Sequence, residues 1–516
     1  MTAPAMRRNS LQWHESTYLS PSIAYELLKS QRRLKSVEAP CEPSSPKLCT
    51  FDGASDQPPD EPPARINTTV PTYTVKPNFA PGQYIWTPEG PDTPHGAKGR
   101  ESIAGCRIGV PDGGGRAWLV VTGGFINFFI AFGLMNSFGT FQAMYESNPT
   151  PWENARPTDI SWIGSAQHFI FFVGGLVTGP IFDKWGARPP LFLGTLFCLV
   201  SFLGTSWSTR YWQFLLNQGV FLGIADALIF YPTTSAISEW FNEKRALALG
   251  TAVSGSSIGG MVWPLLLSNL YGVVQPKHLH QIVAVITTPL LLLGCCFVRE
   301  RKGVAAHDAA GNQAEQSQRS MRSAILDLRF ILLSCSLLVL YAGIFIPFSF
   351  IPKYALDNGI SMDFANYLLT ITYGGSFIGR IGSGWLADRF GRFNVLSLIA
   401  SLGSIVTFFL IWMTTVPAMI VFAVLYGILS GGLVPLGSAC VAQTTADMGH
   451  IGWRIGVMMA ICAVGAIGGP PLGFALKAAT SSWIPVHAFA ALVALLGALS
   501  IFAAKLLWQP GRLGKF

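Results

Sequence analysis

One short loop pattern occurs twice in this chain, and each copy directly follows an apolar segment rich in glycine. The first copy is Asp183-Lys-Trp-Gly-Ala-Arg188, and the second is Asp388-Arg-Phe-Gly-Arg392, about 205 residues further along. The recurrence of one loop after one kind of segment indicates two copies of a single membrane unit. Any fold of this chain must therefore place the two copies in equivalent positions.

The hydropathy of the chain supports a membrane location independently. Half of the residues are apolar, only 12% are charged, and long apolar stretches recur from residue 116 onward. A helix needs about 20 such residues to cross the hydrocarbon layer of a bilayer. We predict an all-α membrane protein with twelve transmembrane helices in two sets of six. The predicted spans are 116–141, 159–182, 190–207, 211–237, 246–270, 278–298, 328–352, 363–386, 393–414, 416–443, 452–476 and 483–507.

These spans divide the chain into five regions. Residues 116–298 and 328–507 are the two six-helix halves, residues 299–327 are a linker, and residues 508–516 are a short C-terminal tail. Residues 1–115 are an N-terminal tail, crowded with proline, serine and glycine after residue 39. Few apolar side chains are available there to offset the entropy lost on ordering. We therefore predict that this tail is disordered.

The basic residues of the short loops predict the orientation in the membrane. Loops on the side of the N-terminus contain thirteen lysines and arginines, and loops on the other side contain five. Because cytoplasmic loops carry the basic excess, both termini are predicted to be cytoplasmic. The net charge of +8 largely reflects this bias, so no nucleic-acid partner is expected. The plasma membrane is the expected location of this multi-pass protein.

Several kinds of chemistry find no support in the sequence. Six of the nine cysteines lie in predicted helices and three in the tail, so neither a disulfide framework nor a zinc site is expected. The glycine runs at 113–115 and 374–375 lack the Gly-Lys-Ser/Thr of a phosphate-binding loop, which argues against hydrolysis of ATP. The prediction is a protein that is not an enzyme and has no cofactor or metal. Proton coupling remains open.

Taken together, the two six-helix halves, the linker and the paired loops resemble the major facilitator superfamily. Within it, Pro111-Asp112-Gly113-Gly114 leading to Trp118 is similar to the entry signature of the monocarboxylate porter family. The segment 255–260 in the fifth helix, and Arg380 with Gly384 in the eighth, fit the same family. Asn136-Ser137-Phe138-Gly139 and the long tail are more similar to the fungal branch. The resemblance implies the major facilitator fold and secondary transport by alternating access.

The charges of the repeated loop also predict a physical role for it, apart from the family resemblance. A carboxylate at the cytoplasmic end of the second or eighth helix is placed to face the positive N-terminal end of a helix in the same bundle region. Neighbouring arginines are placed to hold the carboxylate. We predict a latch that sets transport rate more than substrate choice; the alternative is a loop charge that only sets topology. The predicted gating residues are Asp183, Arg188, Asp388, Arg389 and Arg392.

Glycines of the fifth and eleventh helices are predicted to allow close packing. They occupy equivalent places in the two halves, and small residues four apart let helices approach one another. These glycines are Gly255, Gly259, Gly260, Gly465, Gly468 and Gly469.

Ionisable side chains within the membrane are costly and are candidates for function. The resemblance implies that Arg380 contacts substrate or takes part in proton coupling; the alternative is a partner of nearby carbonyl groups or of Asp388. Asp226, in the middle of the fourth helix, is the candidate proton site. His168 either titrates or is a neutral core residue. With a rise of about 1.5 Å per residue, Asp226 and Arg380 differ in depth by roughly 8 Å, so a direct ion pair is possible only through tilt or water.

Two positions depart from the proton-coupled monocarboxylate porters. Asn136 stands where that family carries a lysine, and Ser376 stands where it carries an aspartate. An amide and a hydroxyl can orient a substrate but cannot carry its proton at pH 7. These changes argue against lactate-type symport and favour a larger, partly apolar or neutral solute, for which aromatic side chains provide stacking surfaces. The aromatic candidates are Phe132, Tyr231, Trp263, Tyr341 and Tyr373.

The predicted function is secondary-active transport of a small organic solute, with efflux of a secondary metabolite as the first candidate. One alternative is an importer of a monocarboxylate or of a riboflavin-like nutrient. Another is a sensor that retains the transporter fold and signals through its tail. The expected partners are the substrate and the lipid bilayer, and the protein is expected to be a monomer.

Overall fold

A computed structural model describes residues 73–77, 84–88, 112–147, 157–271, 273–301, 327–445 and 448–508. Most of the N-terminal tail that is predicted to be disordered lies outside these ranges, and so do most of the linker and nearly all of the C-terminal tail.

Two short strands lie within the predicted tail. They are β1 (Tyr73–Pro77) and β2 (Tyr84–Pro88), which pair antiparallel from Tyr73↔Pro88 to Pro77↔Tyr84. The sequence analysis did not predict this hairpin. The hairpin belongs to one unit, residues 1–100, and the helices belong to a second, residues 101–516.

The first half contains six helical spans. α1 comprises Gly115–Asn136 and Phe138–Ser147, α2 is Pro157–Trp185 and α3 is Arg188–Trp207. α4 comprises Tyr211–Phe214, a π-helical turn at Leu215–Phe221, and Leu222–Trp240. α5 is Arg245–Tyr271 and α6 is Pro276–Phe297.

The second half repeats this arrangement. α7 is Leu328–Asp357, α8 is Met362–Phe390, and α9 is Arg392–Phe409 followed by a 3₁₀ turn at Leu410–Trp412. α10 comprises Val416–Gly431 and Leu433–Thr444. α11 is a 3₁₀ turn at Met448–His450 followed by Ile451–Thr480, and α12 is Ile484–Trp508.

The described ranges thus confirm the twelve predicted helices, with ends that differ by a few residues. Eleven of them are long and apolar enough to cross a membrane by length and composition. The exception is α8, which carries Arg380, Asp388 and Arg389. α8 covers the predicted span 363–386 and packs against α10 as α2 packs against α4, so it is the equivalent of α2 under the repeat.

The same helix pairs pack in both halves. In the first half, α1 packs against α5 and α6, α2 against α4, and α3 against α6. The second half has the equivalent pairs: α7 with α11 and α12, α8 with α10, and α9 with α12. The main contacts between the halves are α5 with α8 and α2 with α11, which are themselves equivalent under the repeat. The duplication seen in the sequence is therefore a duplication of packing.

Tryptophan side chains mark the two polar boundaries of the bundle. Trp185 and Trp385 are exposed near the repeated loops, and Trp162, Trp207 and Trp412 are exposed at the opposite end. Tryptophan is enriched at membrane–water interfaces because its ring is apolar and its N–H is polar. The exposed surface between these ends is rich in leucine, valine and phenylalanine, as expected for a surface in contact with lipid.

Glycines allow α5 to pack on α1, and α11 on α7, through their backbones. A Cβ built on Gly259 would overlap the carbonyl oxygen of Phe129, and one on Gly469 would overlap that of Ala342. Gly255 and Gly465 make the same kind of contact, which confirms the packing role of these four glycines. The other two differ, because Gly260 faces the ring of Tyr373 in α8, and Gly468 has no atom within 4 Å of its Cβ position.

We predict that Gly469→Ala lowers the apparent Tm of the purified protein. Overpacking against the Ala342 backbone typically costs about 1–3 kcal/mol, more than the roughly 1 kcal/mol gained when alanine replaces a helical glycine. Gly468→Ala adds the same methyl group to the preceding residue, where there is space, and should keep or raise the apparent Tm. Thermal unfolding of both variants in one detergent tests the packing; equal shifts would contradict it.

Candidate functional site

The carboxylate of Asp183 binds the N-terminus of α11. Its Oδ1 accepts a hydrogen bond from the backbone N–H of Gly452 at 2.9 Å, and its Oδ2 accepts one from Trp453 at 2.8 Å. Amides in the first turn of a helix have no partner within the helix and lie at the positive end of its dipole. Asp183 therefore supplies both the missing acceptors and a complementary charge.

Asp388 makes the equivalent contact with α5. Its Oδ1 accepts from the N–H of Ala246 at 3.1 Å, and its Oδ2 accepts from Leu247 at 2.8 Å. Arg392 forms an ion pair with Asp388, with Nε 3.4 Å from Oδ1, and also donates to the carbonyl oxygen of Asn242. The two carboxylates thus contact their target helices in the same register.

The partner helix corrects one expectation. The sequence predicted that each carboxylate would face a helix of its own bundle region, but Asp183 of the first half contacts α11 of the second, and Asp388 of the second half contacts α5 of the first. Hydrogen bonds to charged groups contribute about 1.5–3 kcal/mol each. Each half thus supplies one carboxylate to a helix N-terminus of the other half, and this reciprocal pair of contacts is called the latch below.

Backbone contact between the halves surrounds the latch. A Cβ on Gly452 would lie 2.6 Å from the carbonyl oxygen of Gly179, and a Cβ on Gly384 would lie 2.5 Å from that of Ala246. Only glycine permits such an approach. The halves are in direct contact at this end, so passage of a solute there requires them to separate.

The three arginines of the repeated loops occupy different environments. Arg392 is buried and forms its ion pair with Asp388. Arg389 lies over the exposed ring of Trp385, 4.0 Å from its centroid. Arg188 is the first residue of α3 and, among the described residues, forms no hydrogen bond or ion pair.

Arg380 lies where α5, α8 and α10 meet. Its guanidinium donates to the carbonyl oxygen of Val253 at 2.9 Å, to the hydroxyl of Ser256, and to the carbonyl oxygen of Gly431 at 3.3 Å. All three acceptors are uncharged, and no described carboxylate pairs with Arg380. The cation thus spans the interface between the halves, with no counter-ion in the described part of the chain.

Three other predicted substrate residues, Tyr373, Ser376 and Asn136, lie at different places in the structure. Tyr373 lies two turns before Arg380, and its ring contacts Gly260 across the interface. Ser376 is 1% exposed and packs against Gly431 of α10, so it lies in a contact between helices of one half. Asn136 is half-buried at the end of the first segment of α1.

Asp226 is buried inside the first half. Its Oδ2 accepts a hydrogen bond from Nε2 of Gln167 at 2.8 Å, while its Oδ1 has no partner among the described residues. His168 instead bonds through Nδ1 to the carbonyl oxygen of Gly164 at 2.8 Å. The structure thus brings Gln167, the neighbour of the predicted His168, to the carboxyl group.

Among the described contacts, no ion pair joins Asp226 and Arg380. Groups of three or more His, Cys, Asp or Glu side chains suited to hold a metal ion are likewise absent from the described part of the chain.

The fold and the latch together define a membrane transporter built from two repeated halves. The model of the Major Facilitator Superfamily matches residues 117–361 and 333–515. The chain belongs to the major facilitator superfamily, a family of transporters. It is a multi-pass membrane protein.

The chain is similar in sequence to proteins named as fungal transporters. The chain is 40% identical over 364 residues to "MFS-type transporter pynF" of Aspergillus niger, covering 70% of this chain and 82% of that protein. It is 34% identical to "Aspyridones efflux protein apdF" of Emericella nidulans, covering 78% and 80%. Among solved structures, FucP in the outward conformation has a TM-score of 0.59 at 16% identity, covering 75% of this chain and 98% of that chain. That likeness concerns the fold alone.

We predict that Asp183→Asn and Asp388→Asn each change the maximal transport rate by on the order of tenfold, because each removes the charge from two hydrogen bonds that close the latch. The apparent affinity should change much less, since neither residue contacts the Arg380 site. Initial rates of secretion at several internal substrate concentrations separate the two effects. Asp357→Asn, at the opposite end, is the matched control, and a change confined to affinity would argue against the latch.

Proposed function

We propose that this protein is an efflux transporter for an organic anion, of the class of acidic or enolic secondary metabolites. The observation that carries this proposal is Arg380, a cation between the two halves whose described partners are all uncharged. The names of several relatives as efflux proteins support export as the direction. We further propose a monomer in the plasma membrane, with cytoplasmic termini and without nucleic-acid partners.

An unpaired cation within a membrane protein favours an anionic ligand. Removing a charge from water is costly, and neutral oxygens compensate only part of that cost. A carboxylate or enolate can accept two parallel hydrogen bonds from a guanidinium group and also neutralises its charge. An anionic substrate at Arg380 would therefore be bound more strongly than a neutral one.

Substrate binding at Arg380 would also act on the interface. The guanidinium now bonds to Val253 and Ser256 of α5, which belongs to the other half. An anion that takes over these hydrogen bonds removes one connection between α5 and α8. Binding energy would then contribute to separation of the halves, which is what alternating access requires.

The uncharged residues Asn136 and Ser376, at positions where proton-coupled monocarboxylate porters carry a lysine and an aspartate, affect which substrate is expected. If the chain belongs to the monocarboxylate porter branch, it lacks two groups of the lactate/proton machinery, and Ser376 lies in packing between α8 and α10. The ring of Tyr373 lies on the same face of α8 as Arg380. We propose that the substrate is larger than lactate, with an aromatic or conjugated part beside Tyr373.

Proton coupling is assigned to Asp226. A buried carboxyl group with one unpartnered oxygen is far more stable neutral than charged, unless water reaches it. We propose that Asp226 binds a proton in one state of the cycle and releases it when the first half becomes hydrated. No cofactor is part of this scheme.

We predict that cells producing Arg380→Ala retain a metabolite that cells with the unmodified protein release. Loss of the guanidinium removes the counter-charge of the anion, and export should fall at least tenfold while the protein still reaches the membrane. Untargeted profiling of cells and medium is the measurement, with Arg380→Lys and Arg210→Ala as controls. Unchanged export by Arg380→Ala would overturn the assignment, and a solute left in the medium would indicate import.

For Asp226→Asn, we predict transport that no longer depends on the pH difference across the membrane. The amide keeps a hydrogen-bonding group beside Gln167 but cannot bind and release a proton. Export measured at several external pH values provides the test, with Asp357→Asn as the control. A pH profile like that of the unmodified protein would remove Asp226 from the coupling scheme.

A further inference from the structure

The residue that leads into α1 has an unusual backbone. Asp112 has a φ of 46°, and among the described residues only one other non-glycine residue, Ser481, has a positive φ. Gly114 follows with a φ of 95°, a conformation that L side chains rarely adopt, although there is open space at its Cβ position. Backbone in rarely populated regions persists where the surrounding contacts require it.

The contact that this turn produces is a clamp on the loop between α4 and α5. Oδ1 of Asp112 accepts hydrogen bonds from the backbone N–H of Asn242 at 2.5 Å and of Glu243 at 2.6 Å. One turn into α1, the ring of Trp118 packs edge-on against Phe241, with centroids 5.4 Å apart. The entry segment of α1 therefore holds this loop through a charge and through an aromatic contact.

The second half holds the same short stretch from the other side. Arg392 donates to the carbonyl oxygen of Asn242, and Asp388 accepts from the amides of Ala246 and Leu247. Residues 242–247 are thus held by Asp112 at one end and by the latch at the other. A shift of the loop relative to α1 would move the amides that Asp388 must reach.

An equivalent arrangement in the second half supports a role for this contact. Asp327 directly precedes α7, as Asp112 precedes α1, and pairs with Arg454 at 3.5 Å. Arg454 lies in the first turn of α11, the helix whose N-terminus is bound by Asp183. In the first half, Asp112 contacts the loop that leads into α5, and in the second half, Asp327 contacts α11 itself.

We propose that Asp112 is a positioning residue for the latch, which fixes residues 242–247 so that Asp388 can bind them. In this proposal, the glycines after Asp112 allow the turn that brings its carboxylate to the loop between α4 and α5. This inference concerns the latch alone and does not depend on the identity of the substrate.

Hydrogen–deuterium exchange on the full-length protein in lipid nanodiscs tests this proposal. Asp112→Asn should raise the exchange rate of the Asn242 and Glu243 amides, and also that of Ala246 and Leu247, by on the order of tenfold. Glu243→Gln is the matched control, since it removes a negative charge from an exposed side chain of the same loop. It should leave the exchange of residues 246–247 unchanged.

A double variant distinguishes coupling from two independent contacts. If Asp112 acts through Asp388, exchange at residues 246–247 in Asp112→Asn/Asp388→Asn should rise by less than the product of the two single effects. Gly114→Ala, which disturbs the turn without changing a charge, should reproduce the pattern of Asp112→Asn. An increase confined to residues 242–243, a fully multiplicative double variant, or a rise that extends to α12 would each overturn the proposal.

Discussion

In each half of this molecule, two backbone N–H groups at a helix N-terminus donate their hydrogen bonds to a carboxylate of the other half. The N-terminal amides of α5 and α11 have no acceptor within their own helices, and the carboxylates that bind them, Asp388 and Asp183, belong to the opposite halves. The closed end of the bundle depends on this exchange, because the glycine contacts beside it form only when the helices meet. Water can replace the same hydrogen bonds once the halves separate, so the interaction is stable yet reversible.

Packing explains why motion would occur between the halves rather than within them. Inside each half, backbone contacts at glycines such as Gly259 and Gly469 leave no room for adjustment, and close-packed interiors transmit displacement instead of absorbing it. Between the halves, the contacts are those of α5 with α8 and of α2 with α11, together with the latch. A rigid-body rotation would break only this interface, whereas motion within a half would require its core to repack.

Arg380 connects the interface to the proposed substrate. Its charged guanidinium in α8 bonds to α5 of the other half. The described partners are uncharged, so the cost of removing this charge from water is only partly compensated. Asp226 is different, since it lies within one half beside Gln167 and has no described contact with Arg380. Coupling between the two would then pass through movement of the halves and not through a direct ion pair.

The sequence alone determined the number of helices, their limits to within a few residues and the two-fold repeat, because a bilayer demands apolar segments of a set length and satisfies the backbone within each helix. It also identified Arg380 and Asp226 as costly charges within the membrane, and Asp183 and Asp388 as carboxylates of the repeated loop. Only the tertiary structure decided their partners. Which helix N-terminus meets Asp388, that Gln167 and not His168 reaches Asp226, and that Ser376 lies in packing are contacts between residues far apart in the chain. Hydropathy and spacing carry no information on such contacts, since they depend on how helices rotate and pair.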